Sequence, residues 1–221
     1  MKHPALLATI YGLLIYAVFG AITFAIAGTW RLPFFWAVFG SQLIICFLGI
    51  GMLDPDLIAE RLRPRGKDED PHARMVLSII LPACIFLAAA DVGRWHISYI
   101  PTWLQIAGLV GHILGWLGIF WAMTINKFFS SAIRLQPDRA QRVIDQGPYA
   151  FIRHPGYAFA SLAFVMQGIA LGSWISEIPT VFIVLYLVYR TFLEEKMLRE
   201  GLPGYREYMA QVHYRWIPGV W

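Results

Sequence analysis

The residues with the most chemical capacity gather in two short stretches of the second half of the chain. The first is QRVIDQGPYAFIRHPGY (141–157). Gly147-Pro148 is a turn signal, and Pro155 suits the first turn of a helix, where a missing N–H costs nothing. His154 then falls at or beside a helix N-cap, with free backbone N–H groups just beyond it. A helix N-terminus flanked by Arg153 and His154 is a seat for a carboxylate or phosphate. The plainer reading makes Arg153 an interfacial anchor and His154-Pro155 only the start of a helix. The second stretch is RTFLEEKML (190–198). Arg190 and Glu194 are four apart, share a helix face and can pair. That pair either anchors a helix end or belongs to a site. Arg190 interrupts an apolar run, where an unpaired charge is expensive and usually functional, and this favours the site.

The elements that must position these residues are membrane helices. Hydrophobic residues make up 58% of the 221 and charged residues 14%, against about 45–50% and about 25% in an ordinary soluble domain. Mean hydropathy is +0.56. A soluble fold of this size cannot bury so much apolar surface, so lipid must cover part of it. The pI of about 9.2 is not a nucleic-acid signature, because the basic residues fall in the gaps between apolar runs. Cys46 and Cys84 each lie inside an apolar run, with no second Cys at metal or redox spacing, and read as small core residues. The first run, Ala5–Ala27, lacks a small-residue cleavage site and reads as a span, not a cleaved signal.

Spanning the hydrocarbon takes about 20 apolar residues. The runs Ala5–Ala27, Phe34–Leu53, Met75–Ala90, Trp103–Ile125, Gly156–Ile175 and the one beginning at Thr180 predict an all-α polytopic bundle of about six transmembrane helices. Five remain if the short 75–90 run, bounded by Asp91 and Arg94, is not a span. A helical segment follows at the C-terminus. With Lys2 inside, only Arg31 and Arg94 of the 18 basic residues fall outside, which leaves 16 on the cytoplasmic side. That asymmetry is what the positive-inside rule expects. Trp30, Trp36, Trp95, Trp103 and Trp174 fall at the outer ends, as an interfacial belt would. The 54–74 loop mixes signs, carries Pro55, Pro64 and Pro71, and reads as a solvated connector with a short surface helix at Asp56–Arg63. His112, among Gly108, Gly111, Gly115 and Gly118, is either an intramembrane ionisable group or a neutral ring bonded across a close helix interface. With no carboxylate within one turn, the second is favoured.

The fifth and sixth spans are antiparallel, so His154 and the Arg190/Glu194 pair share the cytoplasmic side. A cation, an anion and a helix N-terminus converge at a membrane–water boundary, an arrangement suited to a zwitterionic soluble cofactor meeting a lipid-borne acceptor.

The chain resembles the isoprenylcysteine carboxyl methyltransferase family, within a wider group that includes membrane phospholipid methyltransferases. The resemblance covers about the C-terminal 40% of the chain and rests on GPYAFIRHPGY (147–157), RTFLEEKML (190–198) and GYREYMAQVHYRWIPGVW (204–221). The first 125 residues resemble the family only as generic membrane helices. The resemblance implies S-adenosylmethionine as methyl donor, bound at the cytoplasmic face under the C-terminal segment. By matching motif the cofactor positions are Gln141, Val143, Ile144, Tyr149, His154, Pro155, Gly156, Tyr157 and Glu194, while Arg190 faces the acceptor. Arg190 and Glu194 are the catalytic candidates; Glu195 is given no role. Gln141 departs from the His common in the family, so any contact it makes is that of a neutral amide.

Residues 1–125 are thus read as N-terminal transmembrane helices and 126–221 as the catalytic methyltransferase region of one integrated membrane domain. The expected partners are membrane lipid and a lipophilic or prenylated acceptor, either a small molecule or a protein C-terminus, with no nucleic acid. The expected reaction is methylation of a carboxylate, which needs no general base, so the protein mostly aligns and stabilises charge. Alternatives are a phospholipid amine or small thiol as acceptor, a sterol-type membrane reductase using a nicotinamide cofactor, or a non-enzymatic membrane protein. The compact chain suits a bacterial inner membrane better than an endoplasmic reticulum.

Overall fold

The computed structural model describes the backbone from Pro4 and side chains from residue 12 onward; the expectation for Lys2 lies outside the described residues. Eight α-helices and no strands are found among them: α1 (Pro4–Ala27), α2 (Pro33–Ile50), α3 (Pro55–Leu62), α4 (Ala73–Ala90), α5 (Thr102–Ile125), α6 (Pro155–Leu171), α7 (Glu177–Gly201) and α8 (Tyr205–Gln211). Prolines open α2, α3 and α6 at their first turns, where the locked φ is already helical. Gly172 ends α6 in the left-handed conformation (φ +87°), which a side chain would resist.

Among the described residues three helices are long and apolar enough to cross a membrane: Pro33–Ile50, Ala73–Trp95 and Thr102–Ile125; Gly12–Ala27, the part of α1 with described side chains, and Pro155–Leu171 are shorter apolar stretches. The expected polytopic helical bundle is present. The short 75–90 run is resolved in favour of a span, because the helix does not stop at its flanking charges. A π-helical turn carries α4 through Asp91–Trp95. The Asp91 carboxylate accepts from the Ile97 and Ser98 N–H groups (both 3.0 Å) and from the Ser173 hydroxyl (2.5 Å). Arg94 donates to the Ile26 and Ala25 carbonyls at the end of α1 (2.5 and 3.0 Å). Each charge is thus met by fixed neutral groups, so the helix can continue past it. The apolar part of α7 runs only to Tyr189; from Arg190 the helix is charged.

The α5–α6 pair is the tightest seam in the bundle. A Cβ on Gly115 would come 2.7 Å from the Ala163 Cβ, so glycine is what allows the backbones to approach. His112 is fully buried at this seam with its Nδ1 3.1 Å from the Ala163 carbonyl, the cross-interface bond of the plainer reading. Trp30, Trp36, Trp95, Trp103 and Trp174 are all exposed, around the end of the bundle where α1 finishes and α2 begins.

The 54–74 connection departs from expectation. Its short helix is present as α3, capped by the Asp54 side chain, which accepts from the Asp56 N–H (2.8 Å). Yet the segment is not a solvated connector, because Glu60 and Asp70 are buried. Glu60 takes a two-pronged bond from Arg134 (2.8 Å to each oxygen), and Asp70 pairs with Arg190 (2.8 Å). The backbone joins in: Glu69 N–H donates to Ile133 O (2.9 Å), and Ile133 N–H to Asp68 Oδ1 (3.0 Å). Proline and mixed charge pointed to solvent, but opposite charges from distant segments bury them in pairs.

Candidate active site

The end of the bundle that carries both motifs is built from the 126–154 segment, the start of α6, the charged half of α7 and the 202–221 tail. His154 caps α6, with Pro155 at its first position, as the local sequence requires. The cap is fixed from outside the helix: Arg153 and His154 donate their N–H groups to the carbonyls of Tyr214 and Arg215 (both 2.9 Å). The tail is therefore bonded directly to the start of α6.

Glu195 is the centre of this junction. Its Oε1 lies 2.6 Å from an Arg153 terminal nitrogen and accepts from Arg153 Nε at 2.7 Å. Its Oε2 accepts from Arg215 Nε at 2.9 Å. The other Arg153 terminal nitrogen donates to the Val212 and His213 carbonyls (2.8 and 2.7 Å). Burial alone would raise the Glu195 pKa, but the adjacent His154 ring and the Arg153 guanidinium outweigh it and hold the carboxyl at about 2. Arg153 is therefore neither an interfacial anchor nor a free cation beside the helix N-terminus. It is a buried tie between α6, α7 and the tail.

Arg190 differs from expectation in its partner. It pairs with Asp70, not with Glu194, and also donates to the Ser131 carbonyl (3.1 Å) and, at 3.5 Å, to the Tyr157 hydroxyl. The helical spacing put a carboxylate within reach, but the buried Asp70 on the 54–74 segment takes the guanidinium instead. Glu194 is left one-third exposed, 3.8 Å from His154 Nδ1.

Gln141, Val143, Ile144, Tyr149, His154, Gly156, Tyr157 and Glu194 line one cleft; Pro155 and Arg190 do not. The cleft is partly open to solvent, and Phe128, Phe129, Leu198, Tyr205 and Tyr208 complete its walls. The Gln141 side-chain carbonyl accepts from the Gln136 N–H (2.7 Å) and so serves its own loop. Two residues lining the cleft carry a buried polar atom with no hydrogen-bond partner: His154 Nε2, which stands on the Glu195 side at 3.4 Å without hydrogen-bond geometry, and the Tyr205 hydroxyl. Buried polar atoms are usually satisfied, so unsatisfied ones in a cleft are what a ligand site would leave.

Sequence reasoning did not find Asp70, Glu60, Arg134 or the hub role of Glu195. Nothing in DEDP (68–71) marks a buried acid, and the pairing of Glu60 with Arg134 reaches across 74 residues of sequence. The one available signal was at Glu195: two adjacent acids on one helix face different directions, so both could not serve the same partner.

Residues 106–200 match the model of the isoprenylcysteine carboxyl methyltransferase (ICMT) family. No curated protein matches the chain. The match begins within α5, so that span is more than a generic membrane helix, and it ends before the tail motif at 204–221. It takes in α5's tight seam with α6, the capped start of α6, and both Arg190 and Glu194. The stretch from α5 to α7 is thus similar to the isoprenylcysteine carboxyl methyltransferase family, a likeness that supports a membrane methyltransferase.

Proposed function

We propose that the chain transfers a methyl group from S-adenosylmethionine to a lipophilic acceptor at the cytoplasmic face of its membrane, with a carboxylate as the methylated group. The observation that carries this reading is the single cleft in which residues of the first motif meet Glu194 of the second, with unpartnered polar atoms between them. These groups fit the proposed cofactor. Glu194 would hold an ammonium, and the α6 N-terminus with His154 a carboxylate. When bound, the cofactor supplies an electrophilic methyl on a sulfonium. The aromatic walls exclude water, which strengthens every charge contact inside.

Arg190 is read as facing the acceptor. A guanidinium carries five N–H donors; three of them go to Asp70, Ser131 and Tyr157, which leaves one on each terminal nitrogen. Two parallel donors are what a carboxylate takes from arginine.

Calorimetry on the detergent-solubilised protein tests the reading. S-adenosylhomocysteine should bind and NADPH should not. His154→Ala and Glu194→Gln should each weaken binding at least tenfold, since a charge-assisted bond contributes about 1.5–3 kcal/mol. Arg190→Lys, on the same preparation, should keep cofactor affinity within about threefold while losing most single-turnover methyl transfer to a lipophilic carboxylate. No binding by the wild type would end the cofactor reading. Full transfer by the lysine variant would end the acceptor role of Arg190.

A further inference from the structure

Four tyrosines line the cleft, and only one has a hydroxyl without a partner. The Tyr157 hydroxyl accepts from Arg190 Nε (3.5 Å). The Tyr149 hydroxyl accepts from Asn126 Nδ2 (3.1 Å), and the Tyr208 hydroxyl donates to the Tyr149 carbonyl (2.7 Å). The Tyr205 hydroxyl has none, although the residue is only 4% exposed. Leaving such a group unpaired costs stability that a phenylalanine would not lose. The backbone nevertheless fixes it there. Gly204 turns the chain between α7 and α8 at φ +81°, a conformation that L side chains rarely adopt, and Tyr205 is the first residue after the turn.

The surroundings limit what the hydroxyl can meet. Leu198, Val143, Met197 and Leu202 pack with Tyr205, which makes this wall apolar. Burial, then the negative charges of Glu194 and Glu195, push the phenol pKa upward, so it stays a neutral O–H. An anion would be repelled by those two carboxylates. The matching chemistry is a flat, uncharged group with its own hydrogen-bonding edge.

We propose that Tyr205 contacts the nucleoside half of the cofactor through its hydroxyl, which makes α8 part of the binding site. This rests on the S-adenosylmethionine reading above and adds a residue beyond the family-matched stretch.

Two phenylalanine variants test it. In unliganded protein, Tyr205→Phe should melt at or above the wild-type temperature, because no bond is lost. Tyr208→Phe should melt lower, because it orphans the Tyr149 carbonyl. Tyr205→Phe should weaken S-adenosylhomocysteine about three- to tenfold, and 5′-methylthioadenosine, which lacks the amino-acid half, by the same factor. Wild-type affinity in the variant would overturn the proposal, as would a melting loss matching that of Tyr208→Phe. Unchanged or absent binding of 5′-methylthioadenosine would overturn the nucleoside assignment. If the wild type fails to bind S-adenosylhomocysteine, it is the cofactor reading that falls.

Discussion

The two ends of the bundle meet charge in opposite ways. At the tryptophan-rich end Asp91 is met by two backbone N–H groups and one hydroxyl, and Arg94 by the last carbonyls of α1. Every partner is neutral and close to a short link between helices. At the motif end the charges meet each other. Glu195 holds Arg153 and Arg215, Asp70 holds Arg190, and Glu60 holds Arg134, each pair joining segments distant in sequence. Neutral capping closes these helix ends around Asp91 and Arg94, and of the groups beside them the buried Glu177 Oε1 is left without a hydrogen-bond partner. Ion pairing between separate segments instead fixes a wall, and that wall can present groups with unused bonding capacity, as His154 and Tyr205 do.

The largest expected effect is topological: the two ends should face opposite sides of a membrane. With the basic excess at the motif end, reporter fusions at Asp68 and at the C-terminus should both score cytoplasmic and one at Ser98 should not, an all-or-none outcome. A cytoplasmic Ser98 reporter would sink the orientation and the placement of the cleft with it.

Next in size is Glu195→Ala. It leaves Arg153 buried without its counter-charge, and breaking a buried pair in this way costs about 3–5 kcal/mol. The melting temperature in detergent should fall sharply, and the 202–221 tail should become the first site of proteolysis. The pH dependence has a definite sign. The folded carboxyl titrates at about 2 and the ordinary value is 4.5. Its contribution is therefore complete above about 4.5 and is lost as pH falls towards 2. Wild-type melting should drop across that window. Glu195→Gln should show a shallower drop there, and an equal slope would show that other groups govern acid unfolding.

The smallest effect belongs to the opposite end. Asp91→Asn keeps the shape and the oxygen that accepts two N–H bonds, and it weakens the bond to Ser173, for a loss of about 1–2 kcal/mol. Cofactor affinity should stay within about twofold. A larger loss of affinity would mean that the two ends are coupled through the helices, and the contrast between a sealed end and a binding end would dissolve.

Much of this was legible in local patterns. The helix start at His154-Pro155 is written in the residue types themselves, because proline is tolerated at a first helical position and nearly nowhere else inside a helix. The close α5–α6 seam follows from glycines spaced along one span, and the share of apolar residues required a membrane. Partner choice was not legible. Arg190 has Glu194 one turn away and pairs with Asp70, far off in sequence, because burial decides which carboxylate needs the cation. Glu195 carried no role in the sequence beside Glu194, yet it is a buried hub while Glu194 is a partly exposed cleft wall, a difference of about one residue's rotation on α7. Hydrophobicity and backbone sterics act over a few residues, so the surrounding solvent, the helices and the two motif positions could be read from the chain alone. Which charges neutralise one another and which polar atoms remain unpaired came from the fold, because desolvation depends on what every other segment brings to the same place.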